Sequence, residues 1–305
     1  MLFFLMFVIN KLSIGIILRR KMNILFCTDG SEISFNSIKN LSAYTKHANV
    51  DIICVIDWNF LPISMNIDTS NYSQIYENIA ESVLIFAEKR IQELNFTVTN
   101  KIKSLGAASD VILEQISSAN YDLVVMGSNG KKGIEKWLGS VSRQIITNSP
   151  IPSFVSKKET SNKKILFTTD GSTTSLHAAK TFLDFFDTTD KEIYTLTVIE
   201  KNDFLPYDLS LDKNWLDSIE KAQKIHAMKS LNKIKNIIED KVKINQEIIL
   251  TGNPTYEIIN FCKTENIDLI VLGAHSKNKL SKLLIGSVSK RVIENVTCDV
   301  LIVNK

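Results

Sequence analysis

One unit of this chain occurs twice. Residues 121–142 read YDLVVMGSNGKKGIEKWLGSVS, and residues 268–289 read DLIVLGAHSKNKLSKLLIGSVS. Asp122 matches Asp268 and Gly127 matches Gly273. Gly139-Ser140-Val141-Ser142 matches Gly286-Ser287-Val288-Ser289. The openings repeat as well: ILFCTDGS starts at Ile24 and ILFTTDGS at Ile165. Whatever the architecture, it must be built from two copies of one unit. The 305 residues allow about two domains of ordinary size, each with a core of its own.

The unit alternates strand and helix. Residues 23–28 (NILFCT) form a short apolar run stopped by Asp29-Gly30-Ser31, a buried strand ended by turn chemistry. Ile33, Ile38, Leu41 and Ala48 give helical spacing over 32–48, with Ser31 as cap. A second strand is expected at 51–56, a helix at 73–95 and a strand at 96–104. A turn at Gly106, a helix at 109–118 and a strand at 122–126 follow. A glycine loop then leads to a helix at 140–148 and a last strand at 151–155. Pro150 and Pro152 predict an irregular last strand, because proline donates nothing to a ladder. The second copy repeats this with strands at 164–169, 193–199, 242–250, 268–272 and 300–303, and helices after Ser172, at 214–239 and at 255–264. This alternation is the signature of parallel sheet with helices on both faces. The expected division is an apolar extension at 1–21, a first domain at 22–156, a polar linker at 157–163 and a second domain at 164–305.

Residues 1–21 stand outside the repeat. Met1 to Leu18 is strongly apolar, broken by Asn10 and Lys11, and Arg19, Arg20 and Lys21 follow. That is marginal for a membrane span. A secretory signal carries its charge before the apolar run. Met22 begins MNILFCTDGS, matching the start of the second repeat. The preceding residues therefore read as an upstream start codon chosen in error. The alternative is an anchor with the rest of the chain in the cytoplasm.

Strand, glycine loop and helix start form a seat for phosphate. Glycines let backbone approach an anion, and helix N-termini offer N–H groups and a favourable dipole. Ser140 and Ser142 can cap that helix or bond phosphate oxygens. In an open parallel sheet, ligands sit beyond the carboxyl ends of strands where strand order reverses. Asp29 and Gly127 would be neighbours there. Asp29, like Asp170, either meets a ribose or Mg²⁺ or simply forms its turn. Lys131, Lys132, Lys277, Lys279 and Lys282 suit a polyphosphate or are merely solvated. His275 reads as a loop hydrogen-bonder, and Trp137 and Phe154 as core. Cys27, Cys54, Cys262 and Cys298 lack C-x-x-C spacing and read as reduced, buried thiols of a cytoplasmic protein. A net charge of +3, with no basic run interleaved with aromatics, gives no sign of nucleic acid. No P-loop, dinucleotide, nucleophile-elbow or zincin motif occurs, and no general acid–base pair stands out.

These residues resemble the universal stress protein family, as a tandem of two such domains from Met22 onward. The family pattern is G-x2-G-x9-G-[ST] after the fourth strand, with Asp closing the first. The resemblance implies two Rossmann-like domains, each a five-stranded parallel sheet in order 3-2-1-4-5. It implies ATP or AMP binding, with or without Mg²⁺, and pairing through the last strand. The two units would then form an intrachain pseudo-dimer, with a homodimer also open. It assigns Asp29 to ribose or metal and Val55 to adenine, and Gly127, Gly130, Gly139, Ser140, Val141 and Ser142 to ribose and phosphates. The second set is Asp170, Val198, Gly273, Ser276, Gly286, Ser287, Val288 and Ser289. Both sets depart from the pattern. The first loop, Gly127-x2-Gly130-x8-Gly139, is one residue short. The second has Ser276 for the middle glycine, a strain if that position needs positive φ. The units are expected to differ in affinity. Three retained glycines favour the first, and the order is left open. Three functions compete: a nucleotide-binding stress regulator with little or no turnover, a slow metal-dependent ATPase or nucleotidyl-transfer enzyme, and an interaction module whose glycine loops are only turns. The inserts at 58–72 and 200–213 are the expected seats of partner specificity.

Overall fold

The structure, a computed structural model, describes residues 21–57, 69–130, 138–200, 213–274 and 285–304. The first half runs β1 (Met22–Cys27), α1 (Glu32–Ser42), β2 (Ala48–Asp57), α2 (Thr69–Glu93), β3 (Thr97–Gly106), α3 (Ala108–Ser118), β4 (Leu123–Gly127), α4 (Ser140–Asn148) and β5 (Ser153–Ser156). The second half repeats it as β6 (Lys164–Thr168), α5 (Thr173–Phe185), β7 (Glu192–Glu200), α6 (Lys213–Glu239), β8 (Gln246–Gly252), α7 (Pro254–Thr264), β9 (Leu269–Gly273), α8 (Ser287–Asn295) and β10 (Asp299–Val303).

Each half is a five-stranded parallel sheet in order 3-2-1-4-5. The halves join edge to edge, giving one ten-stranded sheet in order β3-β2-β1-β4-β5-β10-β9-β6-β7-β8. The joint is antiparallel, with Val300 opposite Val155, Leu301 opposite Phe154 and Ile302 opposite Ser153. Apolar side chains cover both faces, and each face has one core shared by both halves. Tyr44 of the first half packs its ring 6.4 Å from Phe154 and 6.5 Å from Phe182 of the second half.

Several expected boundaries move. The helix expected over 32–48 stops at Ser42, and Ala48 already belongs to β2 opposite Met22. Parallel pairing with β1 captures the segment that helical spacing had claimed. The strand expected to be irregular at 151–155 is a regular strand at Ser153–Ser156. Pro152 contributes only its carbonyl, which accepts from Val124 N at 3.0 Å, so no missing N–H is felt. The strand expected at 242–250 begins at Gln246, because Val242 N still closes a turn on Ile238 O. Residues 157–163 are polar, yet they are fastened down. Ser161 N, Lys163 N and Lys164 N all donate to the Asp268 carboxylate, at 2.9–3.1 Å. Phe154 is core as expected, and Trp137 lies outside the described residues.

The joint also buries charge. Asp299 is fully buried beside Ser156. Its Oδ1 accepts Lys157 N at 3.1 Å and its Oδ2 accepts Asn40 Nδ2 at 2.7 Å. Burial pushes its carboxyl up to about 7, against those hydrogen bonds. Lys157, also buried, donates Nζ to Ile293 O at 2.7 Å, and burial lowers its ammonium to about 8. The signs follow from linkage. The raised Asp299 favours the fold below the ordinary carboxylate range, and that contribution fades as pH climbs through 7. The lowered Lys157 favours the fold above the ordinary lysine range, and that contribution fades as pH falls through 8. Urea unfolding between pH 4.5 and 7 is expected to show stability falling by at most about 1.4 kcal/mol per unit from Asp299 alone. Asp299→Asn should flatten that limb. An unchanged slope in Asp299→Asn would mean the carboxyl ionises normally.

Candidate functional site

The site grows from the turn after the first strand of each half. Gly30 and Gly171 sit at φ 78 and 75, a left-handed backbone natural to glycine. In each turn the glycine N–H donates to the preceding threonine, Thr28 or Thr169, at 3.0 Å. Ser31 and Ser172 cap the helices that follow, accepting from Ser34 N and Ser175 N at 3.3 Å. Asp29 forms the turn expected as one of its two alternatives. Its Oδ1 accepts Ser31 N at 3.0 Å and forms the turn, while its Oδ2 faces Gly130.

The fourth strand ends against the same turn. A Cβ on Gly127 would stand 2.5 Å from Ile33 Cγ2 and 3.0 Å from Ser34 N. One on Gly273 would stand 2.8–2.9 Å from the backbone of Thr174 and Ser175. These two glycines let β4 and β9 press on the helix starts. Gly130 is different: a Cβ there would meet Asp29 Oδ2 at 2.5 Å. Gly130 is absent from the glycines with positive φ. The strain argument against Ser276 therefore does not transfer from Gly130; what this position needs is room beside the aspartate. Ser276 itself, His275 and the five loop lysines lie outside the described residues.

Gly139 and Gly286 are the N-caps of α4 and α8, and each closes the loop with its N–H, to Ser128 O at 2.7 Å and Ala274 O at 2.6 Å. Ser140 and Ser287 are the first helical residues. Ser142 and Ser289 use their hydroxyl protons internally, donating to Gly127 O at 2.8 Å and Gly273 O at 2.9 Å. They hold the strand end to the helix start. The first-turn N–H groups of such a helix have no intrahelical acceptor and point outward.

In the first half these parts surround a cavity of about 140 Å³. Asp29, Gly127, Gly130, Asn129 and Ser142 form its polar side, and Val55, Ile112, Met126 and Val141 its apolar side. Of the first-half residues singled out in the sequence, Gly139 and Ser140 adjoin this cavity through the α4 start without lining it. Ala108 and Ile112 line it and were missed. Their only sequence signal was Gly106 just before them, at φ 154, which ends β3 and aims α3 at the cavity. Cys27 also lines it, and burial pushes its thiol up, away from a reactive thiolate. In the second half Asp170 Oδ1 accepts Ser172 N at 2.9 Å and Ser175 Oγ at 3.2 Å. Val198 and Val288 pack partly buried against the corresponding core. Among the described residues no three His, Cys, Asp or Glu side chains cluster as a metal site. Among them, too, no helix is long and apolar enough to cross a membrane.

The glycines separate packing from ligand space. Gly127→Ala should destabilise the fold by roughly 1–3 kcal/mol, because backbone stands in the way of its Cβ. Gly130→Ala should leave stability within about 0.5 kcal/mol, since the end of one side chain can yield. Urea midpoints of the two variants test this; equal losses would refute the distinction.

Residues 22–157 and 161–304 each match the universal stress protein family. Universal stress protein MJ0531 of Methanocaldococcus jannaschii is 37% identical over 154 residues, spanning 50% of this chain and 88% of that one. Universal stress protein Slr1230 of Synechocystis is 23% identical over 305 residues, spanning 92% of this chain and 98% of its own. In fold, the chain is similar to the crystal structure of a universal stress protein from Archaeoglobus fulgidus, with TM-score 0.62 at 20% identity, over 93% of this chain and 96% of that one. Two matched units, joined in one sheet, make this chain a tandem member of the universal stress protein family.

Proposed function

We propose that the chain is an adenine-nucleotide-binding regulator of a stress response, acting by occupancy, with its principal seat in the first half. One observation carries this reading. The Asp29 carboxylate and Gly130 face each other at the mouth of an apolar cavity, beyond the carboxyl ends of β1 and β4. That is where strand order reverses and where such sheets hold ligands. At about 140 Å³ the cavity suits a base rather than a whole ligand, since sites for drug-sized molecules begin near 300 Å³. The base would lie against Val55 and Met126, the ribose against Asp29, and the phosphates over the glycine loop and the start of α4. Asp29 is the sole carboxylate among the described lining residues, and Cys27 is held protonated. This composition favours holding a nucleotide over transforming it. Mg²⁺ would find one protein ligand in Asp29 and would otherwise rely on phosphates and water.

The second half offers a weaker seat in this reading. In the repeat, Ser276 stands at the position of Gly130, whose lack of a side chain leaves room for Asp29.

The test is thermal unfolding of the full chain with millimolar ATP, with and without Mg²⁺. A site of about 10 μM affinity adds roughly 3 kcal/mol at that concentration, a rise of several degrees for units of this size. Asp29→Ala should abolish most of the rise and Asp170→Ala little of it. A rise removed only by Asp170→Ala would place the seat in the second half. No rise would favour the interaction module, and metal-dependent phosphate release lost in Asp29→Ala would favour the enzyme.

A further inference from the structure

The long helix α2 carries a second apolar stripe that its own half does not bury. Ala80, Leu84, Ala87 and Ile91 face the core. On another side Ile75, Ile79 and Phe86 stand 53%, 49% and 46% exposed. With Gly30, Ser82 and Val83 they line a groove of about 490 Å³. Its wall is fixed. Phe86 meets the Phe35 ring edge-on at 5.2 Å, and the Arg90 guanidinium lies 4.8–4.9 Å from both rings while paired with Glu32. Positions 75, 79, 82 and 86 follow a four-three-four spacing, the seam one helix offers to another.

The repeat supplies an internal control. Helix α6 buries Ala227, Leu231, Ile234 and Ile238 in the same pattern. Its residues matching Ile75, Ile79, Ser82 and Phe86 are Ala222, His226, Lys229 and Lys233, all exposed. The fold therefore does not require an apolar stripe at this place. Helix α6 exposes Ile225 and Met228 instead, at positions that match Asn78 and Glu81, so among the described residues the apolar stripe at these four positions belongs to the first half.

We propose that the apolar N-terminal segment, residues 2–18, is the occupant of this groove. The tether starts in the right place. Lys21 donates Nζ to Thr97 Oγ1 at 2.9 Å, and Thr97 opens β3 just after α2 ends at Glu93. The segment thus joins the fold at the foot of the helix whose stripe is uncovered. The lengths agree: Glu93 back to Ile75 is about 27 Å of helix, and residues 2–18 would span about 26 Å as a helix. The spacing agrees too. Leu5, Ile9, Leu12 and Ile16 repeat the four-three-four pattern, and Asn10 and Lys11 fall away from that face. A segment too short and interrupted for a comfortable membrane span has a matching apolar surface within reach.

Hydrogen exchange read by mass spectrometry tests this, comparing the full chain, its intact mass showing Met1 or Leu2 as first residue, with a chain starting at Met22. Backbone amides within residues 75–86 should exchange at least tenfold more slowly in the full chain. Ile79→Lys in the full chain, a change at an exposed position, should abolish the difference. Equal exchange in the two chains overturns the proposal. So does protection in both chains that grows with protein concentration, which would make the groove an interface between copies. Sedimentation of the full chain with phosphatidylcholine–phosphatidylglycerol vesicles, with groove exchange unchanged, would make the segment an anchor instead. Expression from the natural reading frame yielding only protein that begins at Met22 would also overturn it.

Discussion

The antiparallel pairing of β5 with β10 is the contact on which the rest depends. Each half has two sheet edges, and an uncovered edge strand is a liability in water. Pairing the two fourth-strand neighbours removes one edge from each half and leaves β3 and β8 outermost. It also lets the aromatic side chains Tyr44, Phe154 and Phe182 pack across the joint, so the two cores become one on each face. The joint carries a polar cost: Asp299, Lys157 and the Asn40 Nδ2 group are buried and hydrogen-bonded, while Asn40 Oδ1, Tyr44 OH and Ser153 Oγ are buried with no hydrogen-bond partner among the described residues. Neutralising Asp299 relieves a buried charge, and that is why its titration reports on the joint.

The same pairing connects joint and site. Ser156 lies opposite Gly127 in β4 and its carbonyl accepts Ser128 N at 2.8 Å, at the root of the glycine loop. Ser156 also accepts from Asn40 Nδ2 at 3.1 Å, the amide that holds Asp299. The first-half loop is therefore rooted in the joint between halves. The second-half loop is rooted likewise: Ala274 N donates to Val303 O, and Asn304 beside it reaches Ser149 O across the joint.

Much of this was legible before any coordinates. The short apolar runs ended by Asp-Gly-Ser had to be buried parallel strands, because their both-sided hydrophobicity suits a sheet covered on two faces. The recurrence of ILFCTDGS as ILFTTDGS set the register of the two halves. Asp122 and Asp268 matched without an evident task. The structure supplies it: their carboxylates accept backbone N–H groups where β1 and β6 begin, from Asn23 at 2.9 Å and from Lys164 at 3.0 Å. Boundaries were less legible where local spacing and long-range pairing disagreed. Ala48 fits a helical face in sequence, yet pairing with Met22 decides its place. Ala108 and Ile112 carry no chemical signature, so only the packing of α3 against β2, β3 and α4 reveals them as walls of the cavity.

By itself the sequence determined the unit, its duplication, its strand order by resemblance, and the residues at each turn, because these depend on neighbours a few positions apart. The tertiary structure decided what depends on distant residues. It gave Gly130 its reason, room beside Asp29, where a backbone-strain argument had stood. It assigned Ser142 and Ser289 to holding the strand ends Gly127 and Gly273. It merged two sheets into one through β5 and β10, and it uncovered a stripe on α2 that the matching helix lacks. Helical periodicity can show that Ile75, Ile79 and Phe86 share a face; only the packing of every other element shows that nothing among the described residues covers it.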